Sequence, residues 1–108
     1  MFTRAVELTA KPGKMKELFS LVSEKVRSVM NKQQGFQDEI MLISHTDPNR
    51  ALILSFWNSR EDAECYQRED FVRIAEMLRP VCENEPVFFD VNPALVKGEL
   101  KRADYPLY

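Results

Sequence analysis

The sequence predicts an α+β protein with the element order β-α-β-β-α-β. This is the ferredoxin-like arrangement of a four-stranded antiparallel sheet with both helices on one face. Three observations predict it. Four runs with strand periodicity and two stretches with helical periodicity occur in this order, separated by turn residues. The third run is apolar on both of its faces. The length of 108 residues suits one domain, which we place at residues 1–92, followed by a C-terminal tail at residues 93–108.

The first part of the chain predicts one strand and one helix. A strand is expected at residues 2–9, where Val6 and Leu8 alternate with other residues, and Lys11-Pro12-Gly13 ends it. The helix should end before Gly35, because glycine adopts the left-handed conformation that is common just past a helix end. Its apolar stripe has helical spacing and consists of Met15, Leu18, Phe19, Val22, Val26, Val29 and Met30.

A hairpin is expected next. Residues 36–45 and 51–57 have strand character, and Asp47-Pro48-Asn49-Arg50 between them is a good type I turn, with aspartate first and proline second.

A second helical stretch and a last strand complete the predicted order. Ser59, with Asp62 three residues later, makes an N-cap pair at the start of the helix. A helix or broken helix then continues to Leu78, and residues 87–91 are expected to form the fourth strand.

The two apolar faces of the third strand predict an assembly. A strand that is buried on both faces needs a layer on each side, and two helices can cover only one face. We expect a second copy of the sheet to cover the other, in preference to the C-terminal tail. The predicted homodimer interface consists of Met41, Ile43, Leu52, Leu54 and Phe56.

Composition excludes several classes of function. The net charge is −2 and the basic residues are scattered, which gives no reason to expect nucleic acid. No apolar run is long enough to span a membrane, and the first residues lack the apolar region of a signal peptide. Cys65, Cys82 and the single histidine, His45, do not have metal-ligand spacing. We therefore expect a cytoplasmic protein without metal or cofactor, and leave open a Cys65–Cys82 bridge.

Three segments of the sequence resemble the antibiotic biosynthesis monooxygenase family. They are Lys11-Pro12-Gly13-Lys14, Gly35-Phe36, and Ser55-Phe56-Trp57 followed by Ser59-Arg60-Glu61-Asp62-Ala63. The resemblance extends over about residues 2–92 and implies a dimeric α/β barrel, in which two sheets meet face to face and each subunit holds a pocket between sheet and helices. Several members oxygenate phenolic or quinol compounds without metal or flavin. The implied function is a cofactor-independent monooxygenase of a small, electron-rich aromatic or quinol.

Two features separate this sequence from particular members of the family. Members that degrade haem use an asparagine and a histidine where this sequence has Val6 and Ala75, so haem degradation is not expected although Trp57 is kept. Members that oxidise polyketides place polar groups on the third strand, which here contains Leu52-Ile53-Leu54. A non-enzymatic dimer of the same fold, with a ligand-binding or structural role, remains the alternative.

The predicted pocket lies on the helix-facing side of the sheet. An apolar cavity with few polar groups is typical of small-molecule sites. Trp57, the only tryptophan, either lines this pocket or closes the core. The expected lining consists of Trp57 and Tyr66 together with Arg4, Val6, Ile53, Ser55 and Phe71.

Three residues are candidates for a catalytic role: Trp57, Tyr66 and His45. Tyr66 can donate a hydrogen bond to an oxyanion. His45 is the default general base, because histidine titrates near neutral pH; the competing interpretation is an exposed histidine beside the turn. Arg4 is expected to form an ion pair with Asp90 or to hold an anionic ligand group. Glu7 and Glu39 are expected on the dimer-facing side, as structural carboxylates.

Overall fold

The computed structural model describes residues 1–91, and its elements follow the predicted order. The strands are β1 (Phe2–Thr9), β2 (Phe36–Ile43), β3 (Arg50–Trp57) and β4 (Val87–Val91). The first helical stretch comprises α1 (Met15–Leu21), a π-helix (Val22–Val26) and α2 (Arg27–Met30). The second comprises α3 (Arg60–Glu69) and α4 (Phe71–Leu78). The predicted domain boundary at residue 92 and the tail lie outside the described residues.

The strands form one antiparallel sheet in the order β2-β3-β1-β4, which confirms the ferredoxin-like α+β fold. The strands β1 and β3 pair in the centre, with Val6 opposite Ile53 and Arg4 opposite Ser55. Buried residues from both helical stretches share one core with Leu8, Ile53 and Trp57, so both stretches cover the same face of the sheet.

The opposite face of the sheet, here called the outer face, has no covering layer within residues 1–91. Along β3 the side chains of Ile53, Ser55 and Trp57 are buried, whereas Leu52 and Leu54 are only partly buried. Large apolar side chains on the neighbouring strands of the outer face are 42% to 54% exposed, namely Phe89, Ile40, Leu42 and Val87. The predicted two-sided apolar character of the third strand is therefore present.

The pairing of β2 with β3 corrects two predicted positions in the dimer interface. Met41 lies opposite the buried Ile53, and it packs against the core on the helix side. Ile43 lies opposite the buried Ala51 and shares that side by alternation. The placement of Met41 and Ile43 on the outer face is therefore wrong, and Ile40 and Leu42 lie there instead.

The same register also corrects the predicted position of Glu39. It lies opposite the buried Ser55, on the helix side, so its predicted position on the dimer-facing side is wrong. Glu7 does lie on the outer face, where its Oε2 accepts a hydrogen bond of 2.7 Å from Nη2 of Arg50. A structural role agrees with that pairing.

The hairpin is shorter than predicted, because β2 ends at Ile43 and not at His45. The backbone N–H of Arg50 donates to the carbonyl of Asp47 over 3.0 Å, as the predicted turn requires. Ser44 Oγ accepts a hydrogen bond of 3.0 Å from the N–H of Asp47. Local bonds of this kind from a serine hydroxyl compete with the strand ladder, and they place His45 in the loop.

The first helical stretch contains a feature that the sequence pattern does not reveal. Its buried residues Leu18, Val22, Val26 and Met30 are spaced four apart. An α-helix has 3.6 residues per turn, so a four-residue spacing drifts around it. The wider π-helical turn at Val22–Val26 reduces that drift and keeps the four side chains on the core side.

The second helical stretch begins as the sequence predicts and is broken, which is one of the two forms that the sequence left open. Ser59 Oγ accepts a hydrogen bond of 3.2 Å from the N–H of Asp62, which confirms the N-cap. The helix breaks at Asp70, whose backbone dihedrals (φ −119°, ψ −15°) depart from helical values, and α4 follows from Phe71. Within the described part of the chain, no helix combines the length and apolarity needed to cross a bilayer.

Candidate functional site

A cavity lies between the helix side of the sheet and the helices. All seven residues predicted to line a pocket lie on it: Arg4, Val6, Ile53, Ser55, Trp57, Tyr66 and Phe71. Its volume is about 40 Å³, whereas engineered cavities that admit benzene measure roughly 150 Å³. A ring-sized molecule therefore requires side chains at the rim to move. Phe71 and Phe88 are only partly buried there and meet edge to face, with ring centroids 4.4 Å apart.

Trp57 belongs both to the core and to the cavity wall. Only 1% of its surface is exposed. Its ring stacks on Tyr66 with centroids 5.4 Å apart and meets Phe36 edge to face at 5.5 Å. Its Nε1 donates a hydrogen bond of 2.9 Å to Ser55 Oγ. Because that donor is already paired, Trp57 offers a ligand its ring surface and not a hydrogen bond.

Arg4 is held at one end of the cavity by polar partners. Its Nε donates to Asp90 Oδ1 over 2.9 Å, which confirms the predicted ion pair, and its Nη1 donates to Gln67 Oε1 over 2.6 Å. Asp90 also accepts from Arg60 Nη2 over 3.2 Å. The guanidinium is 5.2 Å from the ring centroid of Phe2. These contacts tie β1, β4 and α3 together and fix Arg4 as part of the cavity wall.

Tyr66 projects from α3 into the cavity. Burial raises the pKa of its phenol, and the negative charges of Glu39 and Asp70 raise it further. Tyr66 is therefore a neutral hydrogen-bond donor across the physiological pH range. Its hydroxyl has no hydrogen-bond partner within residues 1–91.

Glu39 is a cavity residue whose carboxyl can accept a proton. The sequence pattern predicts it on the opposite face of the sheet. It is partly buried on β2 and lines the cavity. Burial raises the pKa of its carboxyl, and the positive charge of Arg27 partly offsets that effect. The signal that identifies it is the acidic pair Asp38-Glu39 before the apolar run Ile40-Met41-Leu42-Ile43, once the register with β3 shows that Glu39 is the one on the helix side.

His45 does not reach the cavity. It is exposed in the loop between β2 and β3, and it is absent from the cavity lining. The hypothesis that His45 is the general base of this pocket is therefore wrong. His45 does not reach the cavity because β2 ends two residues before it.

The two cysteines do not form an activated nucleophile. Both are free thiols, so the Cys65–Cys82 bridge left open by the sequence is not formed. A hydrogen bond from Cys65 to Glu69 raises the pKa of its thiol, and burial raises that of Cys82. Reactive cysteines require a lowered pKa. Residues 1–91 also contain no group of three or more histidine, cysteine or acidic side chains placed to hold a metal ion.

Replacing Trp57 with phenylalanine should lower the free energy of unfolding by about 1–3 kcal/mol, as a change of shape in a packed core. The phenylalanine ring has less area in contact with Tyr66, and Ser55 Oγ loses the hydrogen bond that it accepts from the Trp57 N–H. Urea unfolding followed by circular dichroism measures the loss. Ser55→Ala and the double variant complete a cycle that separates the hydrogen bond from packing. A loss below about 0.5 kcal/mol, the range of ordinary surface changes, would contradict the core role.

The fold and the largely apolar cavity together define a small α+β domain with a candidate small-molecule pocket. A sequence model of the antibiotic biosynthesis monooxygenase family matches residues 1–76. The chain therefore belongs to the antibiotic biosynthesis monooxygenase family. None of the curated proteins compared with the chain matches it significantly.

Solved structures support the fold. A candidate antibiotic biosynthesis monooxygenase from Bordetella bronchiseptica superposes with a TM-score of 0.76 at 14% identity, covering 87% of this chain and 97% of the other. A conserved protein from Methanosarcina mazei gives 0.70 at 20% identity, covering 87% and 94%. A Nitrosomonas europaea protein of unknown function gives 0.68 at 13% identity, covering 88% and 92%. At these identities the likeness shows the fold alone.

Proposed function

We propose that this protein is a cofactor-independent monooxygenase that acts on a small, electron-rich aromatic compound such as a quinol. The observation that supports the proposal is the cavity itself, in a chain of this family. Its walls are largely aromatic and aliphatic, including Trp57, Tyr66 and Phe71, and few polar groups face it. Such a lining suits a flat apolar ring with one or two polar substituents.

A quinol can supply all the electrons that its own oxygenation needs. Hydroquinone and dioxygen give hydroxyquinone and water: one oxygen atom enters the ring at a C–H position, and the other leaves as water with two hydrogens of the substrate. The protein then needs to bind the ring, exclude water and stabilise the developing negative charge on oxygen. The neutral Tyr66 hydroxyl is a donor suited to the last task.

Entry of a ring into the cavity requires an opening at its rim. Phe71 on α4 and Phe88 on the edge strand β4 are the partly buried aromatic pair at that rim. We propose that these two side chains separate to admit the substrate. The alternative function, a non-enzymatic dimer that binds a small ligand, uses the same cavity without the reaction.

We further propose a homodimer in which the outer face of each sheet is covered by its partner. Four large apolar side chains of that face are each more than two-fifths exposed in the single chain: Ile40, Leu42, Val87 and Phe89. The free thiols of Cys65 and Cys82 support a cytoplasmic location, where thiols stay reduced.

Oxygen uptake with a panel of hydroquinones tests the proposed reaction. At least one substrate should consume oxygen faster than it autoxidises, with one hydroxyquinone formed per dioxygen consumed. Tyr66→Phe should lower kcat by roughly a hundredfold, the usual effect of losing one oxyanion donor. The matched control His45→Ala should leave the rate unchanged, because His45 is exposed in the loop. Uptake that never exceeds autoxidation would favour the binding function instead.

A further inference from the structure

The cavity lining contains a single carboxylate, Glu39, among residues that are largely apolar. On the sheet it lies opposite Ser55 and on the same side as Met41, whose side chain packs against the core. Its carboxylate has no hydrogen-bond or ion-pair partner within residues 1–91. An unpaired carboxylate on the wall of a cavity can accept a hydrogen bond or a proton from a ligand that enters it.

Glu39 and Tyr66 act on each other across the cavity. The negative charge of Glu39 is one of the causes that raise the pKa of the Tyr66 phenol, and both residues line the same space. All fully buried polar side-chain atoms among the described residues have partners. The unpaired oxygens of Glu39 and Tyr66 are therefore accessible, and the cavity wall offers an occupant both an acceptor and a donor.

We propose that Glu39 is the proton acceptor of this site and that Tyr66 is its hydrogen-bond donor, so the cavity selects flat aromatic molecules that carry a weakly acidic hydroxyl group. This inference rests on the proposed function for the location of the ligand. In the step it describes, the O–H bond of the ligand breaks and the electron pair stays on the ligand oxygen. The proton forms a new O–H bond on a Glu39 carboxylate oxygen, and Tyr66 donates to the phenolate.

The charged and titratable groups around Glu39 come from four elements. Arg27 of α2 and Asp38 of β2 act on it in opposite directions, Tyr66 of α3 lines the same cavity, and so does Arg4 of β1. The cavity-lining residues of β3, β4 and α4 are uncharged, namely Ile53, Ser55, Trp57, Phe88, Phe71, Ile74 and Leu78. Burial is the largest effect and raises the pKa of Glu39.

That raised pKa has a consequence for folding. The folded state favours protonated Glu39, so the contribution of this group to stability is greatest below the ordinary glutamate pKa of about 4.3 and is lost as pH rises through the folded value. Glu39→Gln should therefore raise the melting temperature at pH 8 and lose this advantage near pH 4. A carboxylate with a structural partner would behave in the opposite way, and a lower melting temperature of the variant at pH 8 would overturn the proposal.

Binding of phenol and toluene, two rings of nearly equal shape, tests the selection directly. Isothermal calorimetry at pH 8 should show that the wild-type protein prefers phenol. Glu39→Gln should weaken phenol binding by about tenfold or more, since hydrogen bonds to charged groups contribute about 1.5–3 kcal/mol. Glu39→Leu, which removes the acceptor altogether, should weaken it further. Toluene binding should be unchanged or tighter in both variants.

Glu24→Gln is the matched control, because it makes the same chemical change at an exposed position of the π-helix. It should alter neither affinity. A wild-type protein that prefers toluene or binds neither ring, or a Glu39→Gln variant with unchanged phenol affinity, would overturn the proposal. If the protein selects phenol through Glu39 but consumes no oxygen, this inference stands and only the monooxygenase function is removed. If oxygen uptake occurs and Glu39→Gln leaves it unchanged, the monooxygenase function stands and Glu39 is not its proton acceptor.

Discussion

Leu54→Arg should convert the proposed homodimer to a monomer. Leu54 is at the centre of the outer face, between Ala5 of β1 and Ile40 of β2. A stable homodimer through this face buries on the order of 2,000 Å² or more. Placing an unpaired guanidinium in such an interface costs roughly 3–5 kcal/mol, which corresponds to an increase of more than about a hundredfold in the dissociation constant.

Sedimentation velocity over a range of concentrations measures this effect. Val72→Arg is the matched control, since Val72 is 63% exposed on α4 and away from the outer face. It should leave the dimer intact. Circular dichroism should show that the Leu54→Arg monomer stays folded, because Leu54 contributes to the outer face and not to the core between sheet and helices. A wild-type protein that is a monomer at micromolar concentration would contradict the proposed dimer.

Gly35→Ala should destabilise the protein by about 2–5 kcal/mol. Gly35 has a φ of 79°, and the left-handed conformation costs other residues roughly 1–2 kcal/mol. A Cβ at this position would also overlap the side chain of Asp62, and forced displacement in a packed site typically adds about 1–3 kcal/mol. Asp62 lies in the first turn of α3, where its N–H donates to Ser59. The overlap therefore disturbs the start of the helix that carries Tyr66.

Gly13→Ala isolates the backbone contribution. Gly13 has nearly the same φ, 77°, but a Cβ there meets nothing within 4 Å. Its cost should be only that of the left-handed conformation, roughly 1–2 kcal/mol. Chemical unfolding of both variants measures their losses in free energy of unfolding. The difference between the two losses is the cost of the overlap with Asp62. Equal losses for the two variants would show that the overlap is relieved at no cost.

Much of the candidate site could be predicted from the sequence because it lies on the two central strands. In β3 the buried and partly buried residues alternate without interruption, and β1 pairs with it along its whole length. Once those strands are recognised, alternation places Arg4, Val6, Ile53, Ser55 and Trp57 on one side. The two apolar faces of β3 also indicated that the sheet needs a layer on each side.

The errors concentrate on β2 and its loop. The run Ile40-Met41-Leu42-Ile43 is apolar at every position, so periodicity contains no information on which residues face the helices. A shift of one residue exchanges the two sets, and this shift misplaced Met41, Ile43 and Glu39 together. His45 was chosen for its titration chemistry alone, and chemistry does not indicate where a strand ends.

The sequence by itself determined the order of the elements, the two apolar faces of β3, the N-cap at Ser59 and the set of strand residues that meet at the cavity. These properties follow from local periodicity and local hydrogen bonding, which neighbouring residues set. Only the tertiary structure decided the position of Glu39 beside Tyr66, the pairing of the Trp57 N–H with Ser55 and the small volume of the cavity. Each of these depends on how separate elements pack, because side-chain contacts across a sheet and a helix layer are set by register and distance and not by spacing along the chain.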